Sequence, residues 1–170
     1  KFQQIKEVAF KPTPENARTL DGQEITIRAN LDFAKGYAKA RQFGAKGIGL
    51  FRSEFLFNQN QSFPSEQEQI SAYSKAAALA GEDGVKIRLF DLNSEQLTDE
   101  TEEREKNPAL GLRAMRLSAA HKKQFRTQIR ALLQASAGKN LDIVLPMVTD
   151  VAEILEIKEI LRLEKASLKK

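Results

Sequence analysis

Apolar and polar positions along the chain follow two alternating rhythms. Ile25-Thr26-Ile27-Arg28-Ala29 is a short β-branched run after the turn pair Asp21-Gly22, and it predicts a strand. Leu31 to Phe43 then keeps helical spacing through Leu31, Ala34 and Ala38, with Gly44 as the stop. Gly47-Ile48-Gly49-Leu50-Phe51 predicts a second strand, and Asn58 to Pro64 a polar loop. Ser65 and Glu68 have the spacing of a capping box, which opens a helix running to about Ala80 and closed by Gly81.

The rhythm then repeats. Val85 to Phe90 predicts a third strand, followed by polar residues 91–107 as a long loop. Leu117 to Ala137 predicts a third helix, stopped by Gly138. Leu141 to Val148 predicts a fourth strand, with Thr149 or Asp150 capping a last helix from Val151 to about Lys165. The fold class is therefore α/β: four consecutive βα units with parallel strands, the repeat of either a TIM barrel or a doubly wound sheet. Residues 1–20, with Pro12 and Pro14, lie outside the rhythm and read as a linker or lead-in; residues 21–170 form the domain.

Composition narrows the chemistry. The 170 residues are 41% apolar and 29% charged, the balance of one globular domain. No apolar run approaches the roughly 20 residues a membrane span requires, and Lys1 to Lys6 lacks a secretory pattern, so a cytoplasmic location is expected. Cys is absent, which excludes disulfides, thiol nucleophiles and thiolate metal sites. His121 is the single histidine, too few for a multi-histidine zinc site, and it reads as a surface residue. The net charge of +4 is a mild excess with few clusters, and without Trp the chain has no stacking platform, so nucleic acid is not an expected partner.

The informative charges sit among the apolar residues. Parallel α/β folds place their chemistry at the C-terminal ends of strands. Arg52 ends the second strand with Ser53 and Glu54 behind it; Arg88 lies in the third strand shortly before Asp91; Arg113 follows the long loop. A guanidinium donates in a planar fork that suits carboxylate and phosphate. Three converging arginines would describe a pocket for a small, highly charged anion. The same pattern would equally suit an internal salt-bridge layer in which each arginine pairs with Glu54 or Asp91.

Several stretches carry a family likeness. Gly44 to Phe57, reading GAKGIGLFRSEFLF, resembles a signature of the phosphoenolpyruvate-utilising enzymes, and most of all the enzyme I group of bacterial phosphotransferase systems. Pro64 to Gln69, Asn107 to Leu117, Gln128 to Ala137 and Leu145 to Val148 continue the likeness in family order. The resemblance implies the first half of a phosphoenolpyruvate-binding TIM (β/α)8 barrel, dependent on Mg²⁺ and homo-oligomeric. It implies that Arg52 and Arg88 contact phosphoenolpyruvate and that Arg113 belongs to the same mouth. The chemistry implied is phosphoryl transfer to a protein histidine, then to a histidine-containing phosphocarrier protein, at the start of sugar uptake.

The chain also departs from that pattern. A full barrel takes about 250 residues. The magnesium ligands, the Asn-Asp pair, a further arginine and the catalytic cysteine of the family would follow the fourth unit, and the phosphorylated histidine would precede the barrel. Where the family typically has Gly-Gly-Asp-Lys after the third strand, Leu92-Asn93-Ser94-Glu95-Gln96-Leu97 stands here. The expectation is a fragment of the phosphoenolpyruvate-binding domain, inactive alone, with no catalytic residue or metal ligand of its own. The alternative is a non-catalytic half-barrel interaction module or a diverged pseudoenzyme.

Overall fold

A computed structural model describes residues 16–60, 62–92, 107, 111, 113–117 and 121–169. The first strands, β1 (Ala17–Arg18) and β2 (Glu24–Ile25), form a small antiparallel hairpin across the Asp21-Gly22 turn. A four-stranded sheet follows: β3 (Ala29–Leu31), β4 (Ile48–Arg52), β5 (Val85–Arg88) and β6 (Leu141–Val144). Its strands are all parallel and stand side by side in chain order, β3-β4-β5-β6. A doubly wound sheet reverses its strand order at a switch point. This order does not reverse, and it is that of consecutive units of a (β/α)8 barrel.

Among the described residues five α-helices accompany the strands: α1 (Tyr37–Gln42), α2 (Glu54–Asn60), α3 (Glu66–Ala80), α4 (Lys122–Ala135) and α5 (Val151–Leu168). α1 packs on α3, α3 on α4, and α4 on α5, so the crossover helices share one face of the sheet. Val85, Ile87 and Leu89 of the β5 segment turn to that face and are fully buried with Ile48, Phe51, Tyr73, Ile129 and Leu132. Side chains alternate along a strand, so Lys86 and Arg88 stand on the opposite face. There Lys86 reaches Asp142 at 2.5 Å.

Local chemistry sets the boundaries. Ser65 accepts from the Glu68 backbone while the Glu68 carboxylate accepts from the Ser65 N–H, the reciprocal cap the spacing predicts. Asp150 and Glu153 repeat the device on α5. Gly47 opens β4 at φ +94, where a Cβ would lie 2.6 Å from the Asp83 carbonyl oxygen and 2.9 Å from that of Gly84. Its N–H donates to the buried Tyr37 hydroxyl at 2.7 Å.

Several predicted boundaries are corrected. The strand expected over residues 25–29 divides: Ile25 belongs to the hairpin, and the parallel strand is Ala29–Leu31. Ile25 and Ile27 are about half exposed, so no core selects their register. With Leu31 in a strand, the first helix shortens to a 3₁₀ turn at Ala34–Gly36 followed by α1. Part of the expected loop 58–64 is helix α2. The third helix starts at Lys122 after a 3₁₀ turn at Ala114–Leu117, and His121 is its half-buried N-cap, its ring tilted against Phe63 at 5.9 Å, rather than a surface residue within the helix. β6 ends at Val144 because Pro146 cannot donate to a ladder and Met147 takes φ +54 in the turn behind it. Most of the expected loop 91–107, residues 93–97 of the altered run, and parts of the 107–117 motif lie outside the described residues.

Candidate functional site: an arginine and carboxylate cluster at the strand ends

Arg52 and Arg88 are the last residues of β4 and β5 and are register partners in the parallel ladder. Register partners project from the same face. The sheet therefore sets two guanidinium groups side by side at its C-terminal edge, on the face away from the helices.

Carboxylates hold each one. Arg88 donates to Glu54 through Nη2, a very short contact, and its Nη1 lies 3.4 Å from Asp91 Oδ2. Asp91 also holds Arg113: Oδ1 accepts from Nε at 3.0 Å and lies 2.9 Å from Nη2. One carboxylate thus joins Arg88 to Arg113. The backbone secures this arrangement, since the Ala114 N–H donates to the Leu92 carbonyl at 2.9 Å. Arg52 has a different anchor, Asp32, with Nη2 to Oδ1 at 2.5 Å. Its guanidinium lies over the Phe55 ring at 5.0 Å, and Phe55 meets Phe33 edge-on at 5.9 Å.

Three arginines and three carboxylates (Asp32, Glu54, Asp91) balance in charge. Hydrogen bonding does not balance. Four buried side-chain atoms among the described residues lack a hydrogen-bond partner: Asp32 Oδ1, Arg52 Nε, Glu54 Oε2 and Arg88 Nε. All four belong to this cluster. Asp32 Oδ1 sits within ion-pair distance of Arg52 but off the bonding direction. Buried polar groups are nearly always paired, so a concentration of unpaired ones marks a cluster whose hydrogen bonding is incomplete as it stands.

Behind the cluster lies a fully satisfied one. Ser53 Oγ donates to the Arg88 carbonyl at 2.6 Å, and Gln128 Nε2 donates to Ser53 Oγ at 2.9 Å and to the Tyr73 hydroxyl at 3.0 Å. The Phe90 N–H donates to Gln128 Oε1 at 3.0 Å, and this is why the β5 ladder stops short of Phe90. Burial pushes the Tyr73 phenol far above its ordinary value, so it remains a proton donor.

The sequence pattern places Arg52, Arg88 and Arg113 at strand ends, and the structure links Arg88 to Arg113 through Asp91 and to Arg52 through the ladder. Of the two alternatives the pattern left open, the salt-bridge layer is seen directly: Arg88 pairs with Glu54 and Asp91 and Arg113 with Asp91, whereas Arg52 pairs with Asp32. Asp32 escapes the pattern because the first strand is expected to end at Ala29, two residues earlier; with β3 at Ala29–Leu31, Asp32 stands at a strand end like the others. His121 is not part of the cluster and packs on Phe63. Among the described residues, no group of three or more His, Asp or Glu could hold a metal ion. Each of the cluster carboxylates is instead paired with an arginine.

Comparison with known proteins agrees with the geometry. The family described as PEP-utilising enzyme, PEP-binding domain, matches residues 7–170. The chain is 38% identical over 150 residues to the phosphoenolpyruvate-protein phosphotransferase of Mycoplasma genitalium, covering 88% of this chain and 26% of that protein. It is 41% identical over 157 residues to that of Latilactobacillus sakei, covering 91% and 27%. With that of Cupriavidus necator it shares 43% over 142 residues, covering 81% and 24%. The chain thus spans about a quarter of the length of the curated relatives it matches. With that family match extending over nearly all of its residues, the chain belongs to the PEP-binding domain family of the PEP-utilising enzymes.

Proposed function

We propose that the chain supplies the arginine side of a phosphoenolpyruvate site, and that residues 21–170 are the first half of the barrel around it, with 1–20 as lead-in. One observation carries this reading: among the described residues, every unpartnered buried side-chain polar atom lies in the Arg52–Arg88 cluster. Phosphoenolpyruvate is a phosphate ester beside a carboxylate. Arg52 and Arg88 offer adjacent forks to such a ligand, and Arg113 a third. Each charge-assisted bond is worth about 1.5–3 kcal/mol.

In the whole phosphotransferase the reaction moves the phosphoryl group from the enol oxygen to an imidazole nitrogen. The P–O bond breaks, a P–N bond forms, and the enolate takes up a proton to leave as pyruvate. Negative charge spreads over the transferring oxygens, and fixed guanidinium groups stabilise it. The histidine, the Mg²⁺ and the phosphocarrier partner of cytoplasmic sugar uptake enter only through the remainder of such an enzyme. This chain alone binds and does not turn over.

Calorimetric titration with phosphoenolpyruvate, with pyruvate and inorganic phosphate as comparisons, tests the reading. Saturable binding that prefers phosphoenolpyruvate is expected. No saturation up to about 10 mM would overturn it.

A second reading rests on a separate observation. β3 and β6 are the outer strands of the four-stranded sheet, and Met147, Val148, Val151 and Leu155 leave apolar surface exposed beyond β6. Such edges pair with other chains, which favours an interaction module that forms homo-oligomers. Light scattering that reports a monomer at every concentration would remove this reading.

A further inference from the structure

The hydrogen bonds behind the arginines have only one possible direction. The Phe90 N–H can only donate, so the Gln128 amide oxygen faces it. Gln128 Nε2 therefore faces Ser53 and Tyr73, and both of its protons are used. The Arg88 carbonyl can only accept, so Ser53 gives its proton there and receives one from Gln128. At the far end the Pro64 carbonyl accepts from Gln69 Nε2 at 2.9 Å, which turns Gln69 Oε1 toward the Tyr73 hydroxyl at 3.1 Å. Three backbone groups thus orient every side chain between them. Ser53, Gln69, Tyr73 and Gln128 are all at most 1% exposed.

Gln128 comes from α4, in the helix layer, yet its amide grips the main chain on both sides of Leu89. It holds Phe90 directly and Arg88 through Ser53, the residue after Arg52. The ends of β4 and β5 are therefore tied at one point, beneath the two guanidinium groups. We infer that Gln128 is a positioning residue for the anion site: acting through Ser53, it sets the relative placement of Arg52 and Arg88. This inference rests on the phosphoenolpyruvate reading for its function but not for its geometry. Tyr73 and Gln69 serve the other arm of the network and anchor it to the start of α3.

The two arms give the test. Ser53→Ala and Gln128→Leu cut the arm that reaches β5; Tyr73→Phe cuts the arm that leads away and is the control for lost stability. Nitrogen–proton NMR of the ligand-free chain reads the arginine Nε–H groups. Shifts at Arg52 and Arg88 in Ser53→Ala and Gln128→Leu, with little change in Tyr73→Phe, are expected. Phosphoenolpyruvate affinity should follow, falling about tenfold in the first two and by less than about twofold in the third. Unmoved arginine signals in Ser53→Ala, where little packing is lost, overturn the inference whether or not the ligand binds. Equal effects in all three variants overturn it too, since they reveal general destabilisation. A wild-type chain that fails to bind, with the arginine shifts as expected, overturns the ligand reading and leaves the positioning intact.

Discussion

Arg52 stands directly across the β4–β5 ladder from Arg88, two like charges that share a register position and do not share a carboxylate. Asp32 takes one; Glu54 and Asp91 take the other. Like charges placed opposite each other on a sheet destabilise it unless each has its own counter-charge. The separate anchors therefore make this pair tolerable in the free protein, and an arriving anion would have to compete with them.

Asp32 is the competitor most easily removed. It holds Arg52 at 2.5 Å, and the Arg52 side chain is 38% exposed, so the pair contributes little to stability. Asp32→Asn should raise phosphoenolpyruvate affinity by about 3- to 10-fold at low salt, since Arg52 no longer exchanges one carboxylate for another. Calorimetry checks this, and unchanged or weaker binding would show that Asp32 does not compete.

Arg88 is held more deeply, between Glu54 and Asp91, whose side chains are 11% and 10% exposed. Arg88→Ala would leave both carboxylates with less compensation and should cost about 2–4 kcal/mol in urea unfolding. Arg88→Lys keeps the charge but cannot fork between two carboxylates, so it should recover only part of that loss.

Much of this was legible in the sequence, for identifiable reasons. Glycine stops at Gly44 and Gly138 take positive φ, the Ser65–Glu68 capping box forms and Asp150 caps the last helix, because these signals are local. The arginines were legible because charge inside an apolar run needs a partner. Asp32 was not, because Ile25 and Ile27 look like strand residues and only pairing with β4 moves the strand to Ala29. Gln128 and Tyr73 were hidden for another reason. Helical spacing marks them as core-facing, and nothing in that spacing says that a buried amide will reach the strand ends.

Gly47 illustrates a constraint that is partly local. Its φ of +94 disfavours any other residue, and the Asp83 and Gly84 carbonyls close the space from the neighbouring turn. Gly47→Ala should destabilise the chain by about 2–4 kcal/mol in thermal or denaturant unfolding, while Gly22→Ala, with φ +88 but open space around it, should cost about 1 kcal/mol.

Acid sensitivity has one buried contributor away from the site. Burial pushes the Glu164 carboxyl up, but Arg126 and Arg130 pull it down and prevail, so it lies below its ordinary 4.5. Its folded value is depressed, so the stability it contributes is present above 4.5 and is lost as pH falls through the folded value. Glu164→Gln should therefore flatten the decline in stability below pH 4.5 while lowering stability at neutral pH. Unfolding midpoints from pH 7 down to about 3 read both effects.

The central claim is that Arg52, Arg88 and Arg113 form one anion site. The direct measurement follows arginine Nε–H signals in nitrogen–proton NMR as phosphoenolpyruvate is added. All three should move along one binding curve, and the surface Arg162, paired with Glu159, should not move with them. Signals that stay fixed at the three arginines, or that shift no more than Arg162 does, would contradict the account.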